Sequence, residues 1–451
     1  MSAKIICYGG AGSVTGANFL FDTGSAKILV DCGTHERENI CDPRNHEPFP
    51  YDVKDIDALI VTHGHQDHIG RIPKLLREGF KGVIHSTHAT MDIAALMFDD
   101  ALRVMDEEAQ RSGCGVLYEK PDVDAALSRW QGHDYHTPFS IADATIEFLD
   151  SGHILGSAMA KMTRNGRVII FTGDLGNSPE PLLNDTESPS GANYILMESV
   201  YGDRVHEGRE ERADVLRQAI EDTRKKNGTL LIPSFSIERT QILLFEIHRM
   251  VETGKMQSIS VYLDAPLAER ITNVFRKYKQ LLNPAAREEY VRGDIFSFPG
   301  LVEVVTSEHS HAIHAKPDPK VIIAGAGMSA GGRIRAHEKR YLPDPKAAIL
   351  FTGYQSPGSL GRHIQDGAKK VHIDRDVVNV RASVASLTGY SGHADRDGLL
   401  SFVEGAGESL EKVFVAMGEP KAALFLAQRI RDFLGVDAVA PQENETLGVD
   451  W

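Results

Sequence analysis

Positive charge is scarce in this sequence. Its 451 residues carry 49 Lys and Arg against 63 Asp and Glu, a formal net charge of −14. Proteins that hold nucleic acid through their overall field show the opposite balance. A nucleic-acid function here therefore needs a local basic strip, or metal ions that supply the positive field themselves. Cysteine is scarce too: Cys7, Cys32, Cys41 and Cys114 are the four present. They form no CxxC pair and fit a reducing compartment better than a thiolate zinc site. No apolar run approaches the roughly 20 residues of a membrane span, and Met1-Ser-Ala-Lys-Ile-Ile holds no long h-region. The expectation is a cytoplasmic protein with no membrane partner. Internal repeats and low-complexity segments are also missing, and no Walker or dinucleotide fingerprint matches in spacing.

The rest of the composition, 42% hydrophobic and 25% charged, is that of a globular protein. The length favours two domains over one, with three as the alternative. Up to residue 205 the chain reads as glycine-punctuated strands: Lys4–Tyr8, Asn18–Asp22, Lys27–Val30 and Asp57–Val61, later Thr145–Leu149, Ala158–Thr163, Val168–Phe171 and Tyr194–Met197. Helices are expected over Ile69–Leu76 and Ala89–Arg111. From Arg209 helices and strands alternate: Arg209–Lys226, Thr229–Pro233, Glu238–Thr253, Ile259–Leu263, Ala265–Leu282, and then Lys320–Ala324, Ile334–Tyr341 and Ala347–Phe351. Such alternation argues a parallel sheet flanked by helices. It is most simply an inserted domain over 206–375, with the first texture returning over 376–451.

Residue types that carry chemistry are concentrated at Thr62-His63-Gly64-His65-Gln66-Asp67-His68, behind the apolar run Ala58–Val61. Alternation puts His63 and His65 on one side of an extended segment, while Asp67 and His68 turn away with the next helix. Two imidazoles can then serve one divalent ion and the Asp/His pair a second. Zinc takes such ligands at about 2.0–2.1 Å, and paired hydrolytic ions sit about 3.5–4 Å apart. Four ligand-type residues within six positions speak against a chance run of polar surface. His153, Asp174 and Glu198 each follow a strand of their own. His153 and Asp174 would pass alone for loop residues; beside the upstream motif they read as a third imidazole and a bridging carboxylate. Asp31 either orients a ligand from outside the coordination sphere or closes an ordinary strand-end turn. The glycine clusters Ala324–Arg333 and Thr352–Arg362 are likewise either phosphate-holding turns or tight turns.

These residues together resemble the metallo-β-lactamase superfamily, specifically its β-CASP branch of RNA-processing nucleases such as ribonuclease J and the mRNA 3′-end cleavage endonuclease. The resemblance implies an α/β fold: an αββα metallo-β-lactamase sandwich with an inserted β-CASP domain that closes over the site. Carried over by position, His63, His65 and His153 bind a first zinc, Asp67 and His68 a second, and Asp174 bridges them, with Asp31 supporting the ligands. Glu198 matches the branch's motif A acid. His393, in Ser391-Gly-His-Ala-Asp395, matches its motif B histidine, a general acid for the leaving group. The implied activity is hydrolysis of single-stranded RNA by a zinc-activated hydroxide. DNA is the alternative substrate; a small-molecule metallo-hydrolase and an inactive scaffold are the alternative functions. Ser234, Arg239, Arg333, His337 and Arg362 are candidates for phosphate contact, or else surface charges and caps. One position departs from the branch: Met417 stands where its motif C histidine belongs. A thioether is a soft donor, so two zinc ions are expected with the second held weakly, manganese being an alternative. Oligomeric state is left open.

Overall fold

Strands buried on both faces read as unbroken apolar runs, and alternation along such a run feeds two different cores. That is the arrangement in the computed structural model, which describes residues 3–35, 41–206, 208, 211–353, 355–356 and 358–451. The chain divides into two units, Met1–Val205 with His393–Trp451, and His206–Gly392.

The first unit holds two seven-stranded sheets. In sheet order, one runs Thr446–Val449, Ala3–Gly9, Asn18–Asp22, Lys27–Val30, Ala58–Ile60, Val83–Thr87, Trp130–His133. The other runs Asp437–Val439, Lys412–Val415, Tyr194–Met197, Arg167–Phe171, Ala158–Arg164, Ala144–Asp150, Phe139–Ile141. Phe19, Phe21, Ile28, Val30 and Ile60 meet Phe148, Met162, Ile169, Phe171, Leu196 and Phe414 between the sheets. Their alternates on the first sheet, Leu20, Leu29 and Leu59, pack outward with Ile72, Leu75, Phe98 and Met105 of the covering helices. On the second sheet Ile170, Ile195, Met197, Val413 and Val415 do the same with Leu399, Phe402 and Leu426. The result is the four-layered αββα sandwich.

The second unit is built on a six-stranded sheet, Leu301–Glu303, Ser260–Asp264, Lys320–Ala324, Thr229–Pro233, Ala348–Phe351, Ser383–Ser386. Every pairing in it is parallel. A separate antiparallel ribbon joins Lys370–Ile373 to Asp376–Asn379.

That ribbon corrects the boundary expected at 375/376. Asp376–Asn379 pairs within the second unit, and Ser383–Ser386 extends its parallel sheet beside Ala348–Phe351. The unit ends at Gly392. Short strands without a helix between them look like the first unit's texture, which is why the sequence misleads there. The helix expected over Ile69–Leu76 is two, Gln66–Ile69 and Ile72–Arg77. The break falls at Gly70-Arg71, where Arg71 N bonds Cys32 O and Pro73 begins the next turn. The helix expected from Arg209 is described from Arg212 to Lys226, Arg209 lying outside the described residues along with Tyr354 and Pro357 of the second glycine cluster. Cys41 and Cys114, expected as thiols, are joined in a disulfide with their Cα atoms 5.7 Å apart; Cys7 and Cys32 are buried and free.

Candidate metal centre

Strand Ala58–Ile60 delivers Val61 and Thr62 into a bend, and His65 caps the short helix Gln66–Ile69. His63 and His65 stay on the approach with ring centroids 4.9 Å apart, while Asp67 and His68 enter the helix, both fully buried. The chain can pass here because residue 33 is glycine. A Cβ on Gly33 would stand 1.5 Å from the Asp67 carbonyl oxygen. His153 comes from the loop after Ala144–Asp150, shaped by Ser157, whose Oγ accepts from His153 N at 3.1 Å and Ile154 N at 3.2 Å. Asp174 follows Arg167–Phe171 through Gly173, whose φ is +55° and whose missing Cβ leaves room for Thr62.

Four donor atoms converge. His63 Nε2 lies 3.1 Å from His65 Nδ1, His153 Nε2 lies 3.3 Å from His65 Nδ1, and Asp174 Oδ2 is 3.4 Å from both His63 Nε2 and His153 Nε2. A tetrahedron of zinc ligands at about 2.0–2.1 Å has edges of about 3.3 Å, so this donor set fits one zinc. The other oxygen of the same carboxylate, Asp174 Oδ1, is 3.3 Å from His68 Nε2, which is buried without a hydrogen-bond partner and lies 3.9 Å from Asp67 Oδ2. One carboxylate therefore presents an oxygen to each of two donor groups, and the second group is the looser.

Asp31 sets the orientation of this second group. It sits at φ +58°, and its Oδ2 lies 2.7 Å from His68 Nδ1. A carboxylate only accepts, so Nδ1 carries a proton, and Nε2 faces Asp67 and Asp174, where a bound ion would displace its second proton. Asp31 also accepts from Thr62 N and Thr62 Oγ1, each at 2.8 Å, and that hydroxyl is 3.1 Å from His63 Nδ1. Thr62 thus couples one ligand from each group; sequence reasoning passed over it and Ser157 because a hydroxyl beside a histidine carries no signal of its own. Burial opposes a charge on His68, but Asp174 and Asp31 outweigh it and hold the imidazole well above its ordinary pKa. Burial, then the neighbouring His68, pulls His63 down. Burial also opposes ionisation of Asp174, yet His68, His63 and His393 keep its carboxyl well below the usual range.

A third pair borders these. His393 Nδ1 is 3.2 Å from Glu198 Oε1 and 3.8 Å from Asp174 Oδ2, and its ring centroid is 4.6 Å from that of His153. Asp174, Glu198 and His393 could by spacing also hold an ion. Glu198 is, however, fully buried and occupied: Leu175 N donates to Oε1 at 2.6 Å and Val200 N to Oε2 at 3.3 Å. That occupancy suits an orienter of His393 better than a ligand. Burial pushes the Glu198 carboxyl up while His393 pulls it back.

Comparison with known proteins follows the same outline. The model of the metallo-β-lactamase superfamily matches residues 13–139, the Beta-Casp domain residues 240–364, and the Zn-dependent metallo-hydrolase RNA specificity domain residues 377–441. Over 426 residues the chain is 35% identical to Ribonuclease TTHA0252 of Thermus thermophilus, covering 94% of this chain and 95% of that one. The chain belongs to the β-CASP branch of the metallo-β-lactamase superfamily. It is thereby a metal-dependent hydrolase of a nuclease family. Two other relatives are Transcription termination factor FttA of Methanosarcina mazei, 29% identical over 98% of this chain and 71% of that one, and an RNase J-like protein of Methanocaldococcus jannaschii, 29% identical over 95% of each. A protein of unknown function from Enterococcus faecalis shares the fold with a TM-score of 0.59 at 12% identity, over the whole of both chains.

Against the β-CASP pattern, Met417 is buried in the apolar cluster between the sheets at φ +45°, its N bonded to Gly10 O. It adds no imidazole to the second donor group. The residues expected to meet phosphate lie in the second unit and already have partners there. Arg333 donates to Asp264 Oδ1 at 2.7 Å and to the carbonyls of Val304 and Val305; His337, fully buried, puts Nε2 2.7 Å from Asp264 Oδ2. Arg362 pairs with Asp366 one helical turn on. Ser234 Oγ is buried and bonds to Phe235 and to Thr240 in helix Arg239–Glu252, which Arg239 opens with its guanidinium 6.0 Å from the Tyr390 ring. Arg333 and His337 thus both serve Asp264.

Proposed function

We propose that this chain is a metal-dependent ribonuclease that hydrolyses phosphodiester bonds of single-stranded RNA. The observation that carries the reading is the set of four donors, three imidazole nitrogens and a carboxylate oxygen, with four of their separations at 3.1–3.4 Å, all within 4.8 Å, and that carboxylate shared with His68. His63, His65, His153 and Asp174 would hold a first zinc; Asp67 and His68, with Asp174, a second. When bound, such ions activate water and offset the negative charge that grows on a phosphoryl group. The rest falls to the chain. Glu198 fixes the His393 ring through Nδ1, leaving Nε2 as the atom that can deliver a proton to the departing oxygen. Asp31 and Thr62 engage Nδ1 of His68 and His63, so each ring would turn Nε2 toward an ion. The names of the relatives, a ribonuclease among them, favour RNA as the substrate. A cytoplasmic location is proposed with it.

The test is cleavage of a labelled single-stranded RNA by the zinc- or manganese-loaded protein. Wild type should cut, and His65→Ala, which removes a corner of the tetrahedron, should lose about 10³-fold or more, the scale set by deleting a central transition-state stabiliser. Cutting of DNA alone would move the substrate assignment. Cutting of neither polymer with any divalent ion would remove the nuclease reading.

A further inference from the structure

The antiparallel ribbon of the second unit has two unlike faces. Val371, Ile373 and Val378 turn inward and join Leu342, Ile349 and Phe351 in that unit's core. The outward face carries Lys370 and His372 on one strand, opposite Asn379 and Val377 on the other. Arg381 continues that outward series, Arg375 stands at the turn, and Lys369 flanks the open end, all exposed. Val377 is 59% exposed, unusual for an apolar side chain on a strand. Within 362–381 the acids are Asp366, Asp374 and Asp376, and each is already paired: Asp366 with Arg362, Asp374 with Arg335 and Lys339, and Asp376 with Lys339. Lys369, Lys370, Arg375 and Arg381 have no such partner among the described residues. In a chain of net charge −14 this is a surface of unneutralised positive charge set around an exposed imidazole and an exposed valine.

We propose that this ribbon is a secondary binding surface for the single-stranded RNA substrate, separate from the metal centre; the inference rests on the ribonuclease reading. Free cations spaced along a two-stranded ribbon suit a phosphate backbone, and each phosphate neutralised releases a counterion that contributes about 0.7 to the salt slope for a single strand. An imidazole and an apolar side chain between them offer a sequence-tolerant platform to unstacked bases. A protein partner of acidic sequence would use the cations and leave that platform idle.

The experiment is single-turnover cleavage of an RNA of about 30 nucleotides by the zinc-loaded protein, with enzyme concentration varied at several salt concentrations. Lys369→Gln/Lys370→Gln/Arg375→Gln/Arg381→Gln is compared with wild type. The half-saturating enzyme concentration should rise about tenfold or more, and the salt slope should shrink by about 2–3. The rate at saturation should not change. Half-saturation and slope equal to wild type would overturn the proposal, as would a lower saturating rate at unchanged half-saturation. Should the quadruple variant unfold, Arg375→Glu/Arg381→Glu is read the same way. A wild-type protein that cleaves no RNA is a distinct outcome: it overturns the ribonuclease reading on which the ribbon depends.

Discussion

Asp31 acts on the second donor group through one proton. Its carboxylate fixes Nδ1–H on His68 and takes both the amide and the hydroxyl of Thr62. Asp31→Asn keeps the shape but brings an amide NH₂ up to His68 Nδ1, which favours the wrong tautomer. Zinc affinity, measured by competition with a chelator, should fall about 10–100-fold, the scale of losing an outer partner of a metal-bound histidine. Glu338 offers a test in the other unit. It is fully buried, with Ser329 Oγ donating to it, and burial pushes its carboxyl up to about 8 from 4.5. The fold therefore prefers the protonated acid. Its contribution to stability is complete below about pH 4.5 and is lost as pH rises toward about 8, because there the unfolded chain has given up a proton that the folded one keeps. Thermal midpoints across that window should decline less steeply for Glu338→Gln than for wild type.

Among the elements, the passage of residues 31–34 beneath helix Gln66–Ile69 fixes how the motif turns. Cys32 N bonds His68 O, Thr34 N bonds Gln66 O, and Ala17 N bonds Asp67 O. Gly33→Ala drives a methyl into the Asp67 carbonyl; it should lower the unfolding midpoint and weaken zinc binding together, whereas an exposed Gly→Ala such as Gly166→Ala strains only its own turn. Much of this was legible in the sequence. The motif after a buried strand points to His63, His65, Asp67 and His68, and His153, Asp174 and Glu198 each stand just beyond a strand, where a loop can bring them to the same place. Other features were not legible, for physical reasons. A glycine-rich turn followed by arginine looks the same whether the guanidinium meets a phosphate or, as with Arg333, a buried carboxylate 69 residues earlier. Strand Thr446–Val449 is short and exposed at every second position, and its pairing with Ala3–Gly9 makes it a strand. The Cys41–Cys114 pairing joins residues 73 apart, a proximity that spacing alone does not encode.

At the scale of the whole molecule, a net charge of −14 leaves a polyanion dependent on local sources of positive field, and two are proposed. One is the cations that the donor groups would hold; the other is the ribbon around Lys370 and Arg381. The donor groups are unequal, four convergent atoms against a looser set in which Met417 supplies no nitrogen. The most direct test is zinc stoichiometry, followed by titration of the chelator-stripped protein with elemental analysis of the product. The account predicts one ion held tightly and a second held weakly. In Met417→His, where the new side chain also suits the left-handed backbone better than methionine does, the second site should tighten by about tenfold or more. A protein that retains no zinc at all, or binds it equally well after His65→Ala, would contradict it.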